Sequence, residues 1–368
     1  MQSPAPASGA QPGATAVRVA RVVSAMEDPN PQVAGQGHAG LRSAGIEVMV
    51  GPGAAQARRD HRGHILKATV GRPCVTLKLA ETADGFASGG PHDPRLRITG
   101  QIANSRVQIM RSTHEAIMIG VETALIDDPL LTVRLAGLDR KPWRVVLDTN
   151  LRLPLRSRLA TSARTLPTLV IAGEDAPRDT AARLEDLGVS VECVGSDADG
   201  HVDLKEALRT LAARGVTRVF SEGGPRVAAR LIGLGLADEV ALITAEKPLG
   251  RPGLPALSKE ARAALSDPDR YAQFERAQFG PDQQARQVCG AVLLSLEPEE
   301  LRRTHFEEAE PGGARVGECG VEGLQEDRIV SLGTTARDQS MTQNAVLPQH
   351  REQFSCHVCL ERDNGSRL

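Results

Sequence analysis

Three short stretches hold residues whose types and spacing can do chemistry. Residues 126–135 read IDDPLLTVRL: Asp127 and Asp128 stand side by side, Pro129 follows at once, and Arg134 closes the run. An apolar helix face or strand has no use for two adjacent carboxylates. The run is either a turn with a charged rim or part of a site, where a carboxylate can hold a proton and the arginine an anion. Residues 221–231 read SEGGPRVAARL, a strand end, two glycines and a helix start. Glycine lets a backbone approach a ligand, and a helix N-terminus offers free N–H groups and a positive dipole end to a phosphate. A plain tight strand-to-helix turn has the same composition, and the stretch is neither a P-loop nor GxGxxG, so both readings stand. Lys78, between Leu77 and Leu79, is costly inside a strand unless it meets water or a partner. It is either the solvent lysine of an edge strand or a partner for the acids above. Alternation puts it on one face with Thr76 and Ala80.

The elements that must position these residues follow from the hydrophobic pattern. Residues 17–26, 72–80, 116–120, 143–148, 168–173, 217–224 and 238–245 read as strands, the last being the final clear one. Helical spacing places Val107, Met110 and His114 on one face, and 204–215 reads as an amphipathic helix closed by Gly215. Residues 37–51 read as a short helix, a stop at Gly45 and a strand, and 81–90 as a loop. Strands alternating with helices predict an α/β fold with a largely parallel sheet. Such sheets bind ligands at the carboxyl ends of their strands. Those ends carry Gly120, Asp148 and Glu222-Gly223-Gly224.

Composition narrows the function. Of 368 residues, 44 are Lys or Arg and 46 Asp or Glu, so no global basic surface suits nucleic acid. No apolar run reaches transmembrane length, and the Pro/Ala/Gly-rich N-terminus lacks the apolar stretch of a secretory signal. Six cysteines spread over the chain suit a reducing cytoplasm, not a disulfide scaffold. His61 and His64 have no supporting ligand cluster, and the Cys356–Cys359 pair, with Cys319 or His350, is a weak zinc signal; no metal site is expected. The reading divides the chain into a disordered 1–16, an αβ segment 17–70, an α/β domain 71–283, and a poorly ordered tail 284–368.

Together, GRPCVTLKLAETADG, RITG, IMIGVETALIDDPLLTVRL, WRVVLDTNLRLP and FSEGGPRVAARLI resemble the reductase domain of the bifunctional riboflavin-biosynthesis deaminase/reductase family, in order from Gly71 to Gly280. The resemblance implies a dihydrofolate-reductase-like, mostly parallel sheet flanked by helices, preceded by a partial cytidine-deaminase-like αβ segment. It implies NADPH as hydride donor and 5-amino-6-(5-phosphoribosylamino)uracil as substrate. By the same carry-over, the cofactor touches Ala80, Arg97, Thr123, Asp127, Thr149 and the turn Gly224, Pro225, Arg226, Val227, Ala228, Ala229 and Arg230. The substrate touches Arg111, Leu131, Arg134 and Glu222. Arg97 stands where many members have tryptophan. Lys78 and Asp127 are expected to position or protonate the ribosyl group. The deaminase His-x-Glu and Pro-Cys…Cys segments do not occur before Ala20, so zinc and deaminase activity are expected to be absent. Residues 17–70 are then a remnant with poorly satisfied strand edges. A homodimer is expected by family analogy. The alternatives are a same-fold reductase acting on another pyrimidine or pterin, and a non-catalytic member.

Overall fold

The computed structural model describes residues 19–289 except 91, 92, 94 and 95. The N-terminal stretch 1–16, the tail from 290 and the Cys356–Cys359 pair lie outside the described residues. The chain divides into two compact units, one holding the described residues up to Ala57 and the other those from Arg58 onward.

The first unit contains β1 (Arg21–Ser24), α1 (Gln36–Ser43) and β2 (Glu47–Val50). β1 and β2 form a two-stranded parallel sheet, and Gly45 takes the left-handed φ of +80° that ends the helix. Two strands alone are marginal in water. Met49 and Val50 on β2 are exposed. Helix α2 (Ala54–Asp60) spans the boundary.

The second unit runs α3 (Arg62–Val70), β3 (Cys74–Glu81), β4 (Phe86–Ser88), α4 (Gln101–Ser112), β5 (Ala116–Gly120), α5 (Val121–Asp127), β6 (Trp143–Leu147), α6 (Arg158–Thr161), β7 (Thr168–Gly173) and α7 (Arg178–Asp186). It continues with β8 (Ser190–Val194), α8 (Leu204–Ala213), β9 (Arg218–Ser221), α9 (Pro225–Gly233), β10 (Glu239–Thr244), β11 (Leu254–Pro255), α10 (Lys259–Ser266), β12 (Tyr271–Phe279) and β13 (Asp282–Cys289). A nine-stranded sheet has the order β12-β13-β10-β3-β9-β5-β6-β7-β8. From β10 to β8 all neighbours are parallel, whereas β13 and β12 run antiparallel. Strand β10 is therefore not the last: the β12–β13 hairpin follows it and closes one edge.

The apolar runs of β5 and β7 are buried on both faces, as parallel strands covered by helices must be. On one side Leu77, Met118, Val145 and Leu169 pack under α8, α9 and α10 through Leu208, Leu231 and Leu265. On the other, Ile117, Ile119, Val146 and Val170 pack with Ala124, Leu159 and Leu184 of α5, α6 and α7. Phe220, Ala241 and Ile243 pack on that side with Ala103, Val107 and Met110 of α4. Gly215 closes α8 with φ +87°, and Asp203 caps its start by accepting from the N–H groups of Lys205 and Glu206. Among the described residues no helix is long and apolar enough to cross a membrane, and no cluster of His, Cys, Asp and Glu is arranged to hold a metal ion.

Candidate active site

Strand β3 lies inside the sheet, bonded to β9 and β10, so Lys78 is not the solvent lysine of an edge strand. It is half-buried and shares the α4 side with Thr76 and Ala80. Register brings a second charge beside it. Ser221 pairs with both Leu77 and Met118, so the residues that follow, Lys78, Glu222 and Ile119, lie in one row on the α4 side. The Glu222 N–H continues the ladder to the Met118 carbonyl at 2.9 Å. Arg111 of α4 meets Glu222 with both edges of its fork, Nε to Oε1 at 2.5 Å and Nη2 to Oε2 at 3.0 Å. Its third donor, Nη1, reaches the Thr132 carbonyl at 3.0 Å. Side-chain exposures of 11% and 15% make this a desolvated bidentate pair, the strong kind.

The acid pair separates in role. Asp128 caps α5 in the left-handed region at φ +36°, and its Oδ1 accepts from the Arg158 N–H at 2.8 Å. Asp127, the last residue of α5, is half-buried. Leu131 also has a positive φ, +50°, and is buried. Two left-handed non-glycine residues so close in sequence are uncommon and need their surroundings to hold them. Buried Arg144 of β6 helps, donating to the Leu130 carbonyl at 3.4 Å while also binding Ser162 Oγ and the Leu159 and Leu166 carbonyls. Burial lowers its guanidinium pKa to about 10. Arg134, at the end of the run, is exposed.

The glycine turn is shaped by close packing. A Cβ on Gly120 would stand 2.9 Å from Val227 Cγ2, and one on Gly223 only 2.7 Å from Val227 Cβ. Gly224 is the N-cap of α9, with no side chain capping the helix and Pro225 in its first turn. Thr123 Oγ1 faces this turn, 3.6 Å from where a Gly224 Cβ would be. Half-buried Thr149 accepts from the Val202 N–H at 3.1 Å and, through its carbonyl, from the Gly173 N–H at 3.0 Å. Its neighbour Asp148 is fully buried; Oδ2 accepts from the Leu153 N–H at 2.7 Å, and burial raises its pKa.

Register and hydrogen bonds thus link Lys78, Glu222, Arg111 and the 128–134 run, while Thr123 faces the Gly224 turn that follows β9. Arg226 is exposed, and Val227 and Ala229 are half-buried. Ala228 is buried in the core and its N–H bonds the Gly224 carbonyl. Arg230 is held by Asp197 Oδ2 and the Val202 carbonyl, both at 2.6 Å. Arg97 is exposed in the coil before α4. Two holding residues went unread in the sequence. Arg144 carried a signal, a charge inside an apolar strand; Gln108, whose Oε1 accepts from the Arg134 N–H at 2.9 Å, carried only its i, i+3 spacing to Arg111.

This sheet, parallel except at its last two strands, with helices on both faces and its glycine turn at the carboxyl end of β9, is that of an α/β protein. Residues 73–265, more than half of the chain, match the RibD C-terminal domain. The chain is 33% identical over 276 residues to the riboflavin biosynthesis protein RibD of Escherichia coli K12, covering 73% of this chain and 74% of that protein. Among solved structures, Acinetobacter baumannii RibD superposes with a TM-score of 0.63 at 28% identity, over 73% of each chain. A Thermotoga maritima protein described as a diaminohydroxyphosphoribosylaminopyrimidine deaminase/5-amino-6-(5-phosphoribosylamino)uracil reductase superposes with a TM-score of 0.60 at 27% identity, over 73% of this chain and 71% of that one. The chain belongs to the RibD family of riboflavin-biosynthesis proteins and carries its C-terminal, reductase domain.

Proposed function

We propose that this chain reduces the ribosyl group of 5-amino-6-(5-phosphoribosylamino)uracil to the ribitylamino product with NADPH. The observation that carries the reading is the knot of Arg111, Glu222 and the 128–134 run beside Lys78, at the carboxyl edge next to the first turn of α9. The residues fit the cofactor. The uncapped start of α9, behind glycines with no room for a Cβ, suits a diphosphate, and Thr123 faces it. NADPH, when bound, supplies the hydride.

The remaining work falls to this chain. The ribosylamine must open to an imine, with a proton reaching the ring oxygen, before C1′ can accept hydride. Lys78 and Asp127 hold or deliver that proton. Glu222, fixed by Arg111, orients the substrate, while the exposed Arg134 takes its phosphate. Packing this row onto rigid strands makes orientation the main source of rate. We propose further that the chain binds no zinc and does not deaminate. The test is NADPH oxidation by the purified protein with the deaminated substrate, run beside the non-deaminated pyrimidine and a metal analysis. Oxidation is expected with the first only. NADPH binding without oxidation would overturn the reductase reading, and deamination or bound zinc would overturn the second proposal.

A further inference from the structure

The run from Asp128 to Arg134 is pinned along its length by groups from three neighbouring elements. The Asp128 carboxylate takes the first N–H of α6, Arg144 of β6 takes the Leu130 carbonyl, Leu131 is buried, and Arg111 of α4 takes the Thr132 carbonyl. One further hold remains, the Arg134 N–H donated to the Gln108 carboxamide at 2.9 Å. It is the one hydrogen bond that any described residue makes to Arg134. Gln108 and Arg111 stand one turn apart on α4, one offering an acceptor and the other a donor to alternate residues of the same segment. The two side chains stand in for the neighbouring strand that this extended segment lacks.

We infer that Gln108 is a positioning residue for substrate phosphate, acting through Arg134. This rests on the proposed role of Arg134. An exposed arginine on a loose chain end must be ordered each time a phosphate binds, which costs rotamer and backbone entropy. Fixing its backbone beforehand removes part of that cost. Gln108 touches neither substrate nor cofactor, so its effect appears in KM for the phosphorylated substrate and vanishes when Arg134 is gone.

The test is a double-mutant cycle of Gln108→Met and Arg134→Ala in the full chain. Methionine keeps the length and helix propensity but loses the acceptor. Expected is a KM for the phosphorylated substrate raised about fivefold by Gln108→Met, with kcat and the NADPH Kd within about twofold. On the Arg134→Ala background the same change adds less than about 1.5-fold. An equal factor in both backgrounds, or an equal rise in the NADPH Kd, would show that Gln108 merely supports α4 and would overturn the inference alone. An unchanged KM in Arg134→Ala would instead overturn the phosphate role of Arg134, and the inference with it.

Discussion

The nine-stranded sheet carries buried charge at both ends, and the two ends treat it differently. At the amino end, Asp238 is clamped by both arms of Arg72, at 2.7 and 2.8 Å, and accepts the Val75 N–H. Glu239 lies between Arg62 and Arg286, and its Oε2 also meets Thr76 Oγ1. Thr76 in turn bonds His114 Nε2 at 2.9 Å. Every oxygen of both carboxylates has a partner. At the carboxyl end, Glu222 and Arg111 are as tightly paired, but open groups surround them. The start of α9 has no side-chain cap, Asp148 Oδ1 has no described partner, and the Arg134 guanidinium reaches water. Buried charge alone does not mark a site; buried charge beside unspent donors and acceptors does.

Substitutions that separate catalysis from stability would break or sharpen this contrast. The largest effect is expected from Asp127→Asn. The shape is kept, and turnover should fall by about 100-fold to 10,000-fold with the melting temperature little changed. Full turnover in single-turnover assays would remove Asp127 from the proton path. Next comes Glu239→Gln at the other end. Burial pushes the Glu239 pKa up, but Arg62 and Arg286 outweigh this and hold it below the usual range. Removing the charge strands two cations, at a cost of about 3–5 kcal/mol in denaturant unfolding, while kcat per folded molecule stays unchanged. With its folded pKa depressed, Glu239 contributes stability above the unfolded value near 4.5, and this is lost as pH falls through the folded value.

The sequence showed the contrast in part. The central strands were legible because burial on both faces demands unbroken Val, Ile, Leu and Met, as in residues 116–120 and 168–173. The turn chemistry of 126–135 was legible because a left-handed Asp128 and a following proline leave few other uses for those residues. The β12–β13 hairpin was not. Its outer strand leaves Gln273, Phe274, Arg276 and Gln278 exposed, keeps Glu275 half-buried and carries a bulge, so it shows no clean alternation. β8 was missed for a similar reason, being half-exposed at the opposite edge. Gln108 left no trace because a side chain that binds backbone needs no special residue opposite it.

His114 offers a smaller effect with a separate pH window. Its burial lowers the imidazole pKa to about 4, despite the hydrogen bond to the Met110 carbonyl at 2.6 Å, which works the other way. The ring folds neutral and charges when unfolded. Its contribution is therefore full above pH 6.5 and disappears as pH falls from 6.5 through about 4. That amounts to about 3 kcal/mol at most. Stability of His114→Gln against pH should be flatter across this window than that of the parent, leaving the loss below pH 4.5 to which Glu239 contributes. Parallel curves would show that the buried ring is already charged in the fold.

The smallest effect is expected for a charge pair that lies near the site but outside its buried row. Arg152, in the loop after β6, donates to Glu122 of α5 at 2.7 Å, with both side chains about half exposed. Water screens such a pair, so Arg152→Gln should change stability by about 0.5 kcal/mol or less. Its steady-state constants should move by less than about twofold, because neither group is desolvated or directed by a neighbour. If proximity to the carboxyl edge were what gave a charge its role, this pair would matter as much as Arg111 with Glu222. A rise of about tenfold in KM for NADPH, read against the same substitution in salt titration, would show that the cofactor reaches the 148–153 loop through Arg152 itself. The boundary of the site would then lie beyond Thr149 rather than at it.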